Sequence, residues 1–239
     1  PVFAVYSSFL QRGYDMLIHD VGIQHLHVVF GVDRAGLVGE DGETHHGIFD
    51  VAYLNSVPGM TVLAPANFDE LRLALHTAIY ECGGPVAVRY PRGGEGAYRG
   101  ICQDASAAEV LREGSDITLV SYGTMINETL DAAARLAKAG VSAEVIKLMT
   151  LTPLNPEGVL MSLRKTGRLL AAEDCTAADC VGARLAAAAA LNGCTLKGAA
   201  LCNLGSRFVP QGTVSQLKET CGLDGESLFR KALEVCRNG

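Results

Sequence analysis

Short apolar runs rich in β-branched residues alternate along the whole chain with longer stretches of helical period, and this alternation restricts the fold more than any other feature. Strands are expected at residues 2–7, 27–33, 61–64 and 86–90, and again at 117–122, 143–147, 169–173 and 199–204. Helices are expected between them at 10–24, 49–57, 68–82, 125–139, 156–165, 178–192 and 226–237. A strand that is apolar throughout must be covered on both faces, and helices supply that cover in parallel sheets. The predicted class is α/β.

Punctuation supports the helical segments. Asn67 precedes Phe68-Asp69-Glu70, an N-cap followed by acids in the first turn. Gly83-Gly84 and Gly140 stand where helices should stop, and Asn155-Pro156 pairs a cap with proline at the first helical position. The pattern breaks after Pro91, where Arg92-Gly93-Gly94-Glu95-Gly96-Ala97-Tyr98-Arg99-Gly100 is glycine-rich and without period. Two parallel-sheet α/β units are therefore expected, at 1–93 and 115–239, with a linker at 94–114. All six histidines precede that linker, so the chemistry is expected in the first unit.

Several function classes drop out. Hydrophobic residues make up 49% and charged residues 19% of the 239, enough apolar material for a buried core. The net charge of −6 offers no basic stripe for nucleic acid. The alanine-rich stretch 185–191 is too short to span a bilayer, and no secretory leader is expected. Eight cysteines form no CxxC pair, which predicts reduced thiols and a cytoplasmic setting. His45 and His46 are adjacent and no HExxH is present, so no metal site is expected. Pro1 opens directly on an apolar run, as expected for the interior of a longer protein.

The segment 33–47 carries the most chemistry. It gathers Arg34, four carboxylates, Thr44, His45 and His46 among four glycines. It follows a strand and precedes a helix, which places it at the carboxyl edge of a parallel sheet, where ligands bind. The alternative is a polar surface loop with Thr44 as a cap. Arg92 after the fourth strand suits a phosphate or carboxylate fork, or a solvated linker position. Phe9 suits stacking on a flat heteroaromatic ligand, or ordinary core, and Arg12 ordinary surface. Neither GxGxxG nor a Walker A sequence is present, so no self-contained nucleotide site is encoded.

These residues carry a specific resemblance. Tyr6-Ser7-Ser8-Phe9-Leu10-Gln11-Arg12, His19-Asp20-Val21, Asp33-Arg34-Ala35-Gly36-Leu37-Val38-Gly39 and the run from Asp41 to Asp50 resemble the 1-deoxy-D-xylulose 5-phosphate synthases. Val88-Arg89-Tyr90-Pro91-Arg92-Gly93 and Phe208-Val209-Pro210-Gln211-Gly212 fit the same family, whose relatives include transketolases and pyruvate dehydrogenase beta subunits. The resemblance implies a partial thiamine diphosphate pyrimidine-binding domain followed by a transketolase C-terminal-type domain. It implies an enzyme that joins pyruvate to glyceraldehyde 3-phosphate with loss of carbon dioxide, supplying isoprenoid, thiamine and pyridoxal synthesis. Phe9 would stack on the cofactor's aminopyrimidine ring with Arg12 beside it. Tyr6, Arg34 and Arg92 would hold the acceptor's phosphate, Asp41 would bind its hydroxyls or order the network, and His45 would transfer protons.

In the family, the glutamate that activates the pyrimidine and the domain holding Mg2+ and the diphosphate lie upstream of the segment matching Pro1. The chain by itself is therefore expected to be inactive and to need its N-terminal half, and a homodimer is implied. Residues 174–182 depart from the family's glycine-rich turn, so no site role is carried over to them. Two other readings stay open: a beta-type subunit of a split transketolase or 2-oxo acid dehydrogenase, and a non-catalytic binding module.

Overall fold

The computed structural model describes residues 1–102 and 104–238. Gln103, inside the expected linker, and Gly239, at the end of the expected second unit, lie outside the described residues. The chain runs β1 Val2–Tyr6, α1 Ser7–Leu10, α2 Tyr14–Met16, β2 Val29–Asp33, α3 Asp50–Asn55, β3 Thr61–Leu63, α4 Phe68–Tyr80 and β4 Val86–Arg89. It continues with β5 Glu109–Arg112, β6 Ile117–Tyr122, α5 Ile126–Lys138, β7 Ala143–Leu148, β8 Thr150–Thr152 and α6 Glu157–Thr166. β9 Arg168–Ala172, α7 Val181–Leu191, β10 Gly198–Cys202, α8 Val214–Cys221 and α9 Gly225–Asn238 complete it. Each of the eight expected strands is present, shifted by two residues or fewer at either end.

Among the described residues the strands form two five-stranded sheets, ordered β1-β2-β4-β3-β8 and β10-β9-β6-β7-β5. The apolar strands pair in parallel, but both sheets are mixed at one edge: β8 runs antiparallel to β3, and β5 antiparallel to β7. Neither edge strand is a continuous apolar run; the two expected parallel-sheet α/β units are present, each with one antiparallel strand added at an edge. β5 lies within 94–114 and carries a charged residue at each end, Glu109 and Arg112, a feature that protects an edge strand. β8 follows β7 after a single residue and crosses to the other unit's sheet.

The expected helix at 10–24 is instead α1, a 3₁₀ turn at Gln11–Gly13, α2 and a π-helical segment at Leu17–Gly22. Gly13 breaks the run, and its cost within a helix explains the change of pitch there. Two of the expected caps are in place: Asn67 Oδ1 accepts the Glu70 N–H at 2.9 Å, and Gly140 takes φ +78° after α5, whereas Pro156 is itself the N-cap of α6 rather than its first helical residue.

The two units share a core. Val120, Tyr122 and Ile146 of the second pack in one buried cluster with Leu10, Phe30 and Val62 of the first. Each fully buried aliphatic side chain stabilises by roughly 1.5–3 kcal/mol relative to exposure, so this shared cluster fixes how the units sit together. No helix of the described residues is long and apolar enough to cross a membrane.

Candidate active site

Three neighbouring parallel strands, β1, β2 and β4, deliver their carboxyl ends to one place. Tyr6 closes β1 in register with Asp33, the last residue of β2, and Arg92 follows β4 by three residues. Arg34, just past β2, adopts φ +59°, a left-handed conformation that costs an ordinary side chain about 1–2 kcal/mol. The Asp33 carboxylate accepts the Arg34 N–H at 2.7 Å and helps to hold that bend.

Six of the seven expected site residues meet here. The Arg34 guanidinium lies 4.1 Å from the centroid of the Tyr6 ring. Its Nη1 donates to Asp41 Oδ2, and Arg92 Nη1 donates to the same oxygen at 2.8 Å. Tyr6 and Phe9 are 5.5 Å apart between ring centroids, and Phe9 meets the edge of His45 at 5.3 Å. Phe9 is 43% exposed, so part of its side chain is open to a ligand. His45 Nδ1 contacts the Thr44 hydroxyl at 2.8 Å. Arg12 stands apart: it is exposed and its side chain makes no ion pair or hydrogen bond with a described residue.

Asp33, Arg34, Tyr90 and Arg92 also line a cavity of about 410 Å³, whose far wall is Phe68 and Leu71 of α4. Among the described residues no group of three or more His, Cys, Asp or Glu side chains converges as a metal site.

The loop is held from the second unit, which the sequence reading did not anticipate. Gly36 and Gly47 exchange backbone hydrogen bonds at 2.8 and 2.9 Å and close the loop at its neck. The Thr176 N–H donates to Ile48 O at 2.9 Å. His46 is buried; its Nδ1 accepts the Val38 N–H at 3.0 Å, so Nε2 carries the proton and donates to Pro210 O at 3.2 Å. His46 thus works as a strut, while its neighbour His45 faces the site.

Beneath the loop lies a buried ionic group. Arg89 Nε and Nη2 donate to Asp50 at 3.2 and 3.3 Å, and Nη2 stands 3.6 Å from Asp174 Oδ1. Burial opposes the Arg89 charge, yet Asp50 and Asp174 outweigh it and hold the guanidinium protonated. Next to it, Glu173 accepts the Val181 and Gly182 N–H groups at the start of α7, at 2.8 and 2.7 Å. Burial nevertheless pushes the Glu173 carboxyl above its usual range. One signal was available in sequence: a charged residue inside a strand as apolar as Val86–Arg89 must find a buried partner.

Residues 1–94 match the transketolase pyrimidine binding domain, and residues 106–228 match the transketolase C-terminal domain. The chain belongs to the transketolase family. The 1-deoxy-D-xylulose-5-phosphate synthase of Chlorobaculum tepidum is 44% identical over 242 residues, covering 100% of this chain and 38% of that protein. The corresponding protein of Gloeobacter violaceus is 46% identical over 180 residues, covering 73% of this chain and 28% of that protein. The chain thus spans 28–38% of the length of these curated relatives.

Solved transketolase-family structures share the fold. A split gene transketolase, described as an inactive beta4 tetramer, superposes with a TM-score of 0.88 at 24% identity, covering 99% of this chain and 76% of that one. A transketolase mutant from Pichia stipitis gives 0.80 at 17% identity, covering 99% of this chain and 34% of that one.

Proposed function

We propose that this chain is the C-terminal part of a 1-deoxy-D-xylulose 5-phosphate synthase and supplies the acceptor half of its active site. The observation that carries the reading is the meeting of two guanidinium groups at Asp41, beside a partly exposed aromatic ring and an imidazole. A phosphate ester suits the arginine pair, because each fork can present two N–H groups to its oxygens. Thiamine diphosphate, when bound, supplies the carbanion chemistry that joins pyruvate to the aldehyde. Phe9 fits its flat pyrimidine ring; Arg12, exposed and without a partner in the cluster, could reach that ring only by turning its side chain toward the bound cofactor. His45 protonates the acceptor's aldehyde oxygen as the new bond forms, and Tyr6 orders Arg34 through its ring.

The proposal places units at 1–93 and 115–239, joined by 94–114, with Mg2+ and the diphosphate held outside this chain. It includes a cytosolic setting, supported by eight unpaired thiols. It also includes a homodimer, supported by the exposed Val2, Phe3, Met16, Ile23 and Leu26 near the start of the chain.

The direct test is product formation from pyruvate and glyceraldehyde 3-phosphate by the protein completed with its upstream segment. Turnover that ignores loss of Arg34 and Arg92 together would overturn the reading. By itself the chain is expected to be inactive and to show no saturable thiamine diphosphate binding in calorimetry with Mg2+ present. Micromolar affinity there would contradict the half-site proposal.

Asp41→Asn gives a more local result. The carboxylate competes with any incoming anion for both arginines, and each charged hydrogen bond is worth about 1.5–3 kcal/mol. Inorganic phosphate, followed by calorimetry, is expected to bind the variant about tenfold more tightly, a difference of about 1.4 kcal/mol. Unchanged affinity would mean that Asp41 does not gate the arginine pair.

The other reading of the same pair of domains is a beta-type subunit of a split transketolase. Activity that requires a separately encoded partner and accepts a sugar phosphate donor would select it.

A further inference from the structure

The Arg89 ionic group has one carboxylate more than charge balance needs. Asp50 already pairs with Arg89 through two hydrogen bonds, and Asp50 is fully buried. Asp174 is a second carboxylate beside the same guanidinium, 3.6 Å from Nη2 and partly exposed, so the pairing of Arg89 with Asp50 does not account for its presence.

Its position shows what does. Asp174 follows β9 of the second unit, and its Oδ2 lies against Gly36, the neck of the loop that carries Asp41 and His45. A Cβ on Gly36 would come within 1.8 Å of that oxygen, and Gly36 holds φ +74°. The opposite side of the neck is equally closed, since a Cβ on Gly47 would meet Arg34 O at 2.3 Å and Ser7 at 2.6 Å. Neither glycine of the neck therefore has room for a side chain, and Gly36 packs directly against the Asp174 carboxylate. Asp174 and Arg92 also line one cleft of about 230 Å³.

We propose that Asp174 is a positioning residue: from the second unit it fixes the neck of the loop against Gly36 and Arg89, and so sets Arg34 for the acceptor's phosphate. The consequence for the acceptor rests on the functional reading above; the grip on the loop does not. The role also has a sign that simple electrostatics lacks. Removing a negative charge from the cleft that Arg92 also lines should by itself strengthen anion binding, whereas a loosened Arg34 weakens it.

The test uses the 239-residue chain labelled with 15N and titrated with glyceraldehyde 3-phosphate, comparing the parent with Asp174→Asn. The amides of Gly36, Gly42 and Gly47 are expected to shift or broaden while those of β6 and β9 stay in place. Affinity for the ester is expected to fall about tenfold, the scale of one charged hydrogen bond. In an Arg34→Ala background the same change should add no further loss. Gly36→Ala, which drives a methyl group into the Asp174 carboxylate, should reproduce the loop signature by a separate route. Unmoved loop amides, or tighter binding in Asp174→Asn, would overturn the proposal. If the parent chain fails to bind the ester, the acceptor reading falls, and the loop amides alone decide the role of Asp174.

Discussion

Lys147→Met is expected to destabilise the chain by about 3–5 kcal/mol, the usual cost of stripping one partner from a buried ion pair. Lys147 is 1% exposed near the end of β7, one strand in from the edge of the second sheet, and its Nζ donates to Glu70 Oε1 at 2.7 Å. Glu109 Oε2 stands 3.0 Å away, and the Tyr98 ring centroid 5.6 Å. Glu70 is also fully buried, at the start of α4, where its oxygens accept the Ala66 and Cys102 N–H groups at 2.9 and 3.0 Å. One ammonium thus fastens the first unit, the segment joining the units, and the second sheet. Burial works against that charge, but Glu70 and Glu109 more than offset it and raise the Lys147 pKa.

Methionine preserves most of the volume and leaves the Glu70 carboxylate buried without its cation. A urea midpoint and a thermal melt both report the loss, with Tm falling by roughly 6–20 °C for a chain of this size. Adding Glu70→Gln should recover part of the deficit by removing the stranded charge. A loss below about 1 kcal/mol, the value of an exposed pair such as Arg230 with Glu226, would show that the cluster does not fasten the units.

His45→Ala is expected to lower kcat by about 10²–10⁴ in the protein completed by its upstream segment, the range for losing a positioned general acid or base. Nδ1 of His45 is engaged by the Thr44 hydroxyl, and Nε2 has no partner among the described residues. That leaves one ring nitrogen for a substrate oxygen, while contact with Phe9 fixes the ring's direction. The acceptor KM should change far less than kcat, because the phosphate is held by Arg34 and Arg92. A kcat within about threefold of the parent would remove His45 from the chemistry, since general catalysis cannot be so weak.

Much of this was legible in sequence because it depends on local pattern. The apolar strands followed from short runs such as Ile117–Tyr122, whose residues are all buried. The mixed edges did not, because Thr150–Thr152 and Glu109–Arg112 carry too few apolar residues to stand out. In the site, Arg34, Asp41, His45 and Arg92 were visible as polar residues following strands, where the carboxyl edge of a parallel sheet must lie. Arg12 was carried over from family resemblance, and its side chain touches none of that cluster.

By itself the sequence determined the α/β class, the strand positions and the edge at which the chemistry gathers, since hydrophobic period and glycine placement act over a few residues. Only the tertiary structure decided what holds that edge in place. Arg89 finds Asp50 across 39 positions, Lys147 finds Glu70 across 77, and Asp174 reaches Gly36 from the other unit. A buried charge takes whichever partner the packed core brings within hydrogen-bonding distance, and that choice leaves no periodic trace along the chain.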